Sequence, residues 1–165
     1  MEMEIKKARE EVWNSVVGLT DAQLNEVVEE GKWSIAQVLE HLHLMEENVI
    51  RLIHHALNQS EFEEPGSFPV QMVADRTKKV TAPEILNPSN KFQTLEGLKT
   101  KLSQSRDSLE KVIQNLSEDD LNERTMEHRR FGVLSIKQWI SLVGYHELRH
   151  IGQIEEIKKE LVETV

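Results

Sequence analysis

The sequence predicts an all-α protein, a four-helix bundle with one long crossover, and three observations carry that expectation. All four prolines, Pro65, Pro69, Pro83 and Pro88, fall in one central stretch. Both flanks are rich in Leu, Glu, Lys, Gln and Ile at helical spacing. Ser34-Ile35-Ala36-Gln37 and Ser135-Ile136-Lys137-Gln138 both have the form of a capping box, in which Ser and Gln side chains satisfy free amide groups at a helix start. The prolines divide the chain into two helical halves, and no segment reads as a convincing strand.

Taken in order, the first long helix is expected over about Glu4 to Val17, where Ile5, Ala8, Val12 and Val16 form one stripe until Gly18 breaks it. Thr20 and Asp21 cap a short turn that runs through Leu24. The second long helix begins at the Ser34 box and keeps its apolar period to about Leu57. From Gln59 to about Gln93 the period is lost, and so long a connection inside a compact domain marks a lid or crossover rather than a passive spacer. Thr94 caps the third long helix, whose stripe is Leu95, Leu98, Leu102, Leu109, Val112, Ile113 and Leu116. Ser117-Glu118-Asp119-Asp120 opens another short turn, and the Ser135 box starts the fourth long helix, which continues to about Leu161. Neither half is long enough to close a core alone, so residues 1–165 read as one domain.

Composition narrows the function classes. With 20 Lys and Arg against 29 Asp and Glu, a formal charge of −9 argues against phosphate-backbone binding, so nucleic acid is not an expected partner. The absence of cysteine excludes disulfide frameworks, zinc ribbons, cysteine nucleophiles and iron–sulfur clusters, and it fits a reducing cytoplasm. No stretch reaches the roughly 18 apolar residues of a spanning helix, so a membrane is not an expected partner either.

The histidines carry the chemistry. In the fourth long helix the apolar arc of Ile136, Trp139, Ile140, Val143, Ile154, Ile157 and Leu161 also contains His146, Glu147 and His150. His146 and His150 stand one turn apart, so their rings project from one face, as two ligands of one metal do. In the second long helix His41 lies at the edge of the arc beside Met45 and Leu52, at a depth that lets it meet the other two. Buried imidazoles need partners, and two arrangements supply them: a metal ion, or a hydrogen-bonded polar core. His54 and His55 are neighbours that cannot share a helical face and read as surface residues, while His128 precedes the loop Arg129-Arg130-Phe131-Gly132 and is placed to bond that turn. A di-iron carboxylate site would need two inward Glu-x-x-His pairs, but Glu40 and His43 point away from the arc that holds Leu42 and Val49.

The run Lys32-Trp33-Ser34-Ile35-Ala36-Gln37-Val38-Leu39-Glu40-His41-Leu42, the Pro-containing crossover, His128-Arg129-Arg130-Phe131-Gly132, and Tyr145-His146-Glu147-Leu148-Arg149-His150-Ile151-Gly152-Gln153-Ile154 follow one another in a characteristic order. In this the chain resembles the DinB-like superfamily, which includes the YfiT-type metal-dependent hydrolases, over Gly31 to about Ile157. The resemblance implies an up-down-down-up course, a divalent nickel- or zinc-type ion held by His41, His146 and His150, and a homodimer; because imidazole ligands discriminate poorly among metals, iron and manganese also fit the donor set. Some members of the family resemble S-transferases that use a low-molecular-weight thiol such as bacillithiol. Arg129 stands where the family often has proline.

A three-imidazole site leaves coordination positions open for water or substrate, so a bound ion acts there as a Lewis acid; taken with the resemblance, the expected function is metal-dependent thiol transfer or hydrolysis on a small molecule. Glu147 is a candidate base or orienting group, or the partner of a salt bridge with Arg149. Gln153, near the same face as His150, is a candidate ligand-binding residue, and Trp33 reads as a packing anchor before the helix cap. The alternative function is a non-catalytic, dimeric helical-bundle protein with a structural or vestigial metal site.

Overall fold

The local chemistry of helix starts organises the fold. The computed structural model describes residues 1–163 and places α1 at Glu2–Ser15, α2 at Asp21–Asn25, α3 at Ile35–Leu57, α4 at Leu95–Gln114, α5 at Glu118–Glu123, β1 at Thr125–His128, β2 at Gly132–Ser135 and α6 at Ile136–Glu163. Both Ser-Gln boxes form. Ser34 Oγ accepts from the Gln37 amide at 3.1 Å while Gln37 Oε1 accepts from the Ser34 amide at 2.9 Å, and Ser135 and Gln138 repeat the exchange at 3.1 and 2.7 Å. Thr20 and Ser117 build the same box before α2 and α5, so both short turns are helical. Past the end of α1, Gly18 takes a φ of 82°, a left-handed conformation that side-chain-bearing residues avoid.

Four long helices, α1, α3, α4 and α6, make a four-helix bundle, and their directions follow from the order in which each crosses two apolar cores. One core contains Ile5, Met45, Val49, Leu109, Ile140 and Val143; the other contains Val12, Leu39, Leu42, Leu102, Ile154 and Ile157. Helices α1 and α6 run from the first core to the second, whereas α3 and α4 run from the second to the first. The course is therefore up-down-down-up. Because α3 and α4 are parallel, the chain between them must return the length of the bundle, which is why residues 58–94 form a long crossover. Two 3₁₀ turns, Val70–Ala74 and Glu84–Leu86, anchor it by burying Val70, Val73 and Leu86. Glu40 also holds it from outside the core, accepting from the Ser89 amide at 3.1 Å, Ser89 Oγ at 3.2 Å and Gln93 Nε2 at 2.7 Å.

Between the two cores lies a layer of buried charge to which each long helix contributes one residue: Arg9, Glu46, Arg106 and Glu147. Arg9 Nη2 donates to Glu46 Oε1 at 3.2 Å and to Glu147 Oε1 at 3.0 Å. Arg106 Nε reaches Glu46 Oε2 at 2.6 Å, and its Nη2 donates to Glu147. Ser105 Oγ adds a 2.6 Å bond to Glu46, while the remaining guanidinium donors bond the carbonyls of Leu102 at 2.9 Å and Ile5 at 2.8 Å. Two cations and two anions balance the layer, which a buried charge cluster requires.

One local expectation is corrected. Where the sequence showed no convincing strand, β1 and β2 form an antiparallel hairpin with Met126 opposite Leu134, and Gly132 at φ 80° makes the turn. Four residues per strand are too few for a period of two to stand out, and pairing supplies what propensity does not. Trp139 Nε1 fastens the hairpin to α6 by donating to the Met126 carbonyl at 3.0 Å, and Gly66 N extends it into the crossover through the Val133 carbonyl at 2.8 Å. No helix among the described residues is long and apolar enough to cross a membrane.

Candidate metal centre

The parallel course of α3 and α4 leaves one face of α3 toward α6 and the crossover, and His41 projects there. One turn separates His146 from His150 on α6, and both rings reach the same point. His146 Nε2 lies 3.1 Å from His41 Nε2 and 3.1 Å from His150 Nε2, and one ligand atom from each of the three residues lies within 4.8 Å of the others. Two imidazoles each about 2.1 Å from one ion have nitrogens at this separation.

Proton accounting tests whether the residues suit a cation. His41 Nδ1 is 2.8 Å from the Leu86 carbonyl, which can only accept, so that nitrogen carries the proton and Nε2 is bare. His150 Nδ1 donates in the same way to Gln153 Oε1 at 2.7 Å, again leaving Nε2 bare. Neutral His146 has a single N–H to offer two bare nitrogens, so at least one 3.1 Å contact sets lone pair against lone pair. A cation at the centre removes that conflict. The Leu86 carbonyl and Gln153 thus hold the Nδ1-protonated tautomers of His41 and His150, the form in which Nε2 could serve as a metal ligand.

Burial acts in the same direction. Desolvation holds His146 well below the ordinary histidine value, with the charges His150 and His41 would carry adding to the effect. Desolvation, then His41, pushes His150 down to about 3, and desolvation lowers His41 against the raising influence of the Leu86 carbonyl. All three rings are therefore neutral and available as ligands at neutral pH. The metal-free protein should lose stability as pH falls from about 6.5 toward 3, because each depressed imidazole stays neutral in the folded state while the unfolded chain takes up its proton. Urea midpoints measured across that range check the sign, and added zinc should deepen the acid sensitivity, since protons then compete with metal for the same nitrogens.

The histidines open onto a cleft of about 820 Å³ walled by the crossover, the hairpin loop and α6, with Trp33, Met45, Val73, Leu86 and Phe131 among its lining. Trp33, read from the sequence as a packing anchor, also lies against His41, with ring centroids 4.9 Å apart. His128 accepts the Arg130 and Phe131 amides on Nδ1 at 3.1 and 3.3 Å, shaping the loop as its position suggested, and stacks on Phe131 at 4.3 Å. Arg129 donates to the Thr81 carbonyl at 3.0 Å and so ties the loop to the crossover. His54 and His55 are exposed.

Glu147 faces away from the cleft. Its carboxylate lies in the buried layer against Arg9 and Arg106, and the salt bridge considered with Arg149 does not form, since residues two apart on a helix point to different sides. Burial pushes the Glu147 carboxyl up, and the two guanidiniums pull it back. Arg149 instead holds the crossover through the carbonyls of Val73 at 3.4 Å, Asp75, and Lys78 at 2.6 Å. Gln153 lies in the cleft wall and orients His150. The sequence reading missed Arg9, Glu46 and Arg106; the available signal was that each falls among apolar neighbours of its own helix, as in Ile5-Ala8-Arg9-Val12.

Comparison with known proteins agrees with this architecture. A crystal structure titled TT2238, a four-helix bundle protein, superposes with a TM-score of 0.63 over 93% of this chain and 94% of the other, at 19% identity, which speaks to the fold. The chain is 34% identical over 155 residues to the uncharacterized protein YuaE of Bacillus subtilis (strain 168), covering 94% of this chain and 95% of that protein. The family model of the DinB superfamily matches residues 4–154, nearly the whole length. The chain belongs to the DinB superfamily.

Proposed function

We propose that His41, His146 and His150 hold a divalent ion, nickel or zinc, and that the protein is a metal-dependent transferase or hydrolase acting on a small molecule in the cleft. One observation supports this above the others: three Nε2 atoms, two of them on buried rings and the third on the half-buried ring of His146, face one another with too few protons to satisfy them, on the wall of a cleft large enough for a small molecule. Such an ion supplies Lewis acidity, holding a thiol as its nucleophilic thiolate or activating water. The chain's own part is to aim three neutral imidazoles through the Leu86 carbonyl and Gln153, and to shield them with Trp33 and the crossover. With no cysteine in the sequence, a thiol nucleophile must arrive as a co-substrate, and the reducing cytoplasm is the compartment in which it would persist.

The test is thiol transfer to an electrophilic aryl halide. A small thiol and the halide are mixed with nickel- or zinc-loaded protein; sulfur displaces halide, the thiol proton passes to buffer, and free thiol is followed with time. Acceleration that disappears on chelation and returns with metal is the expected result for the transferase. If thiol transfer and ester hydrolysis both run at the rate of metal alone, the enzymatic reading fails.

A further inference from the structure

The cleft wall has the opposite charge balance from the rest of the chain. Acids outnumber Lys and Arg by 29 to 20 over the whole sequence. Around the cleft, seven Lys and Arg side chains face three acids, Asp75, Glu156 and Glu160. The concentration is greatest where Arg76, Arg130 and Arg149 come together: burial and then the nearby charges of Arg76 and Arg130 hold the Arg149 guanidinium below its usual value. Arg149 is committed to crossover carbonyls, but the other two retain free capacity. Arg76 pairs through Nη2 with Glu156 at 2.9 Å, while its Nε is buried without any hydrogen-bond partner. Arg130 lies 5.6 Å over the Phe131 ring and has no carboxylate within ion-pair distance among the described residues.

The chain also makes room for this arrangement. Gly152 sits on α6 between His150 and Gln153, and a Cβ there would come within 2.9 Å of Arg76 Cδ, closer than side chains tolerate. The missing side chain lets the Arg76 stem lie across α6 into the cleft. Guanidiniums gathered beside three neutral imidazoles that suit a divalent cation leave a strongly positive enclosure, a configuration whose natural complement is an anion with oxygen acceptors for forked N–H donors.

We infer that the cleft takes a small molecule bearing a carboxylate or phosphate group, which Arg76 and Arg130 bind while another part of the molecule reaches the histidine centre. This rests on the small-molecule reading above and names its substrate class. Arg76 and Arg130 select the anion, and Gly152 is a positioning residue for Arg76.

The experiment is calorimetric titration of metal-free and zinc-loaded protein with succinate, with inorganic phosphate and with uncharged succinamide, which is close to succinate in size. At least one anion should bind about tenfold or more tightly than succinamide in both forms, and whichever binds better tells carboxylate from phosphate recognition. An Arg76→Gln/Arg130→Gln double variant should reduce the preference to about twofold or less while keeping its zinc stoichiometry, and Gly152→Ala should weaken it through Arg76 alone. Equal binding of charged and uncharged probes, or a preference that survives in the double variant, overturns the inference. Zinc bound at the histidines without charge selectivity leaves the metal reading standing and removes this one; anion selectivity in a protein that takes no zinc does the reverse.

Discussion

Truncating Glu46 to alanine is expected to cost about 3–5 kcal/mol of folding stability, among the largest effects available to a single substitution outside the apolar cores. Its side chain is fully buried and accepts from Arg9, Arg106 and Ser105. Removing it leaves two guanidiniums and one carboxylate inside the bundle, an uncompensated charge in a place that water does not reach. Urea denaturation of wild type and variant measures the difference; a loss under about 1 kcal/mol would show that the layer hydrates when opened. Replacing all four charges with apolar residues of similar volume should be far milder, because a buried ion cluster stabilises little relative to good packing. What the cluster contributes instead is register. Sliding any one long helix by a turn would push its charge into Ile, Leu and Val on either side and leave the other three unbalanced.

His146→Ala/His150→Ala should abolish metal binding. Protein purified without a histidine tag should carry close to one equivalent of nickel or zinc per chain by elemental analysis, and the double variant close to none. Two ligands are lost together, and the remaining His41 Nε2 cannot hold an ion alone. The melting curve separates loss of the site from loss of the fold. Zinc at about 100 times its dissociation constant should stabilise wild type by about 2.7 kcal/mol and leave the variant unmoved, whereas the metal-free forms should melt close together. A variant that still takes a full equivalent would place the ion elsewhere, and wild type that takes none after exposure to nickel, zinc, iron and manganese would make the histidines a polar core.

Much of the architecture can be read from local chemistry. A capping box is a contract between residues three apart, so Ser34 with Gln37 and Ser135 with Gln138 announce their helices whatever surrounds them. The stripe Ile5, Ala8, Val12 and Val16 is buried throughout, because helical period alone decides which residues share a face. The pairing of His146 with His150 is legible for the same reason. Glu147 shows where such reasoning stops. It lies about 100° around α6 from His146, within an apolar arc wide enough to face either the cleft or the bundle axis, and nothing local chooses between them. Arg9 and Arg106, 97 residues apart in sequence, make the choice by receiving its carboxylate.

By itself, then, the sequence determined the four long helices, their starts, the crossover, and the one-turn spacing of two histidines, all of which depend on residues within a few positions of one another. Only the tertiary structure decided that His41 meets them with its Nε2 bare, that a hairpin and an arginine-lined wall close the cleft, and that four charges from four helices balance at its back. These depend on where distant segments meet: a carbonyl at Leu86 sets the tautomer of a ring at His41, and a missing side chain at Gly152 makes space for Arg76. Periodicity carries no information about such pairings, because it records which way a residue faces along its own helix and not what waits on the other side.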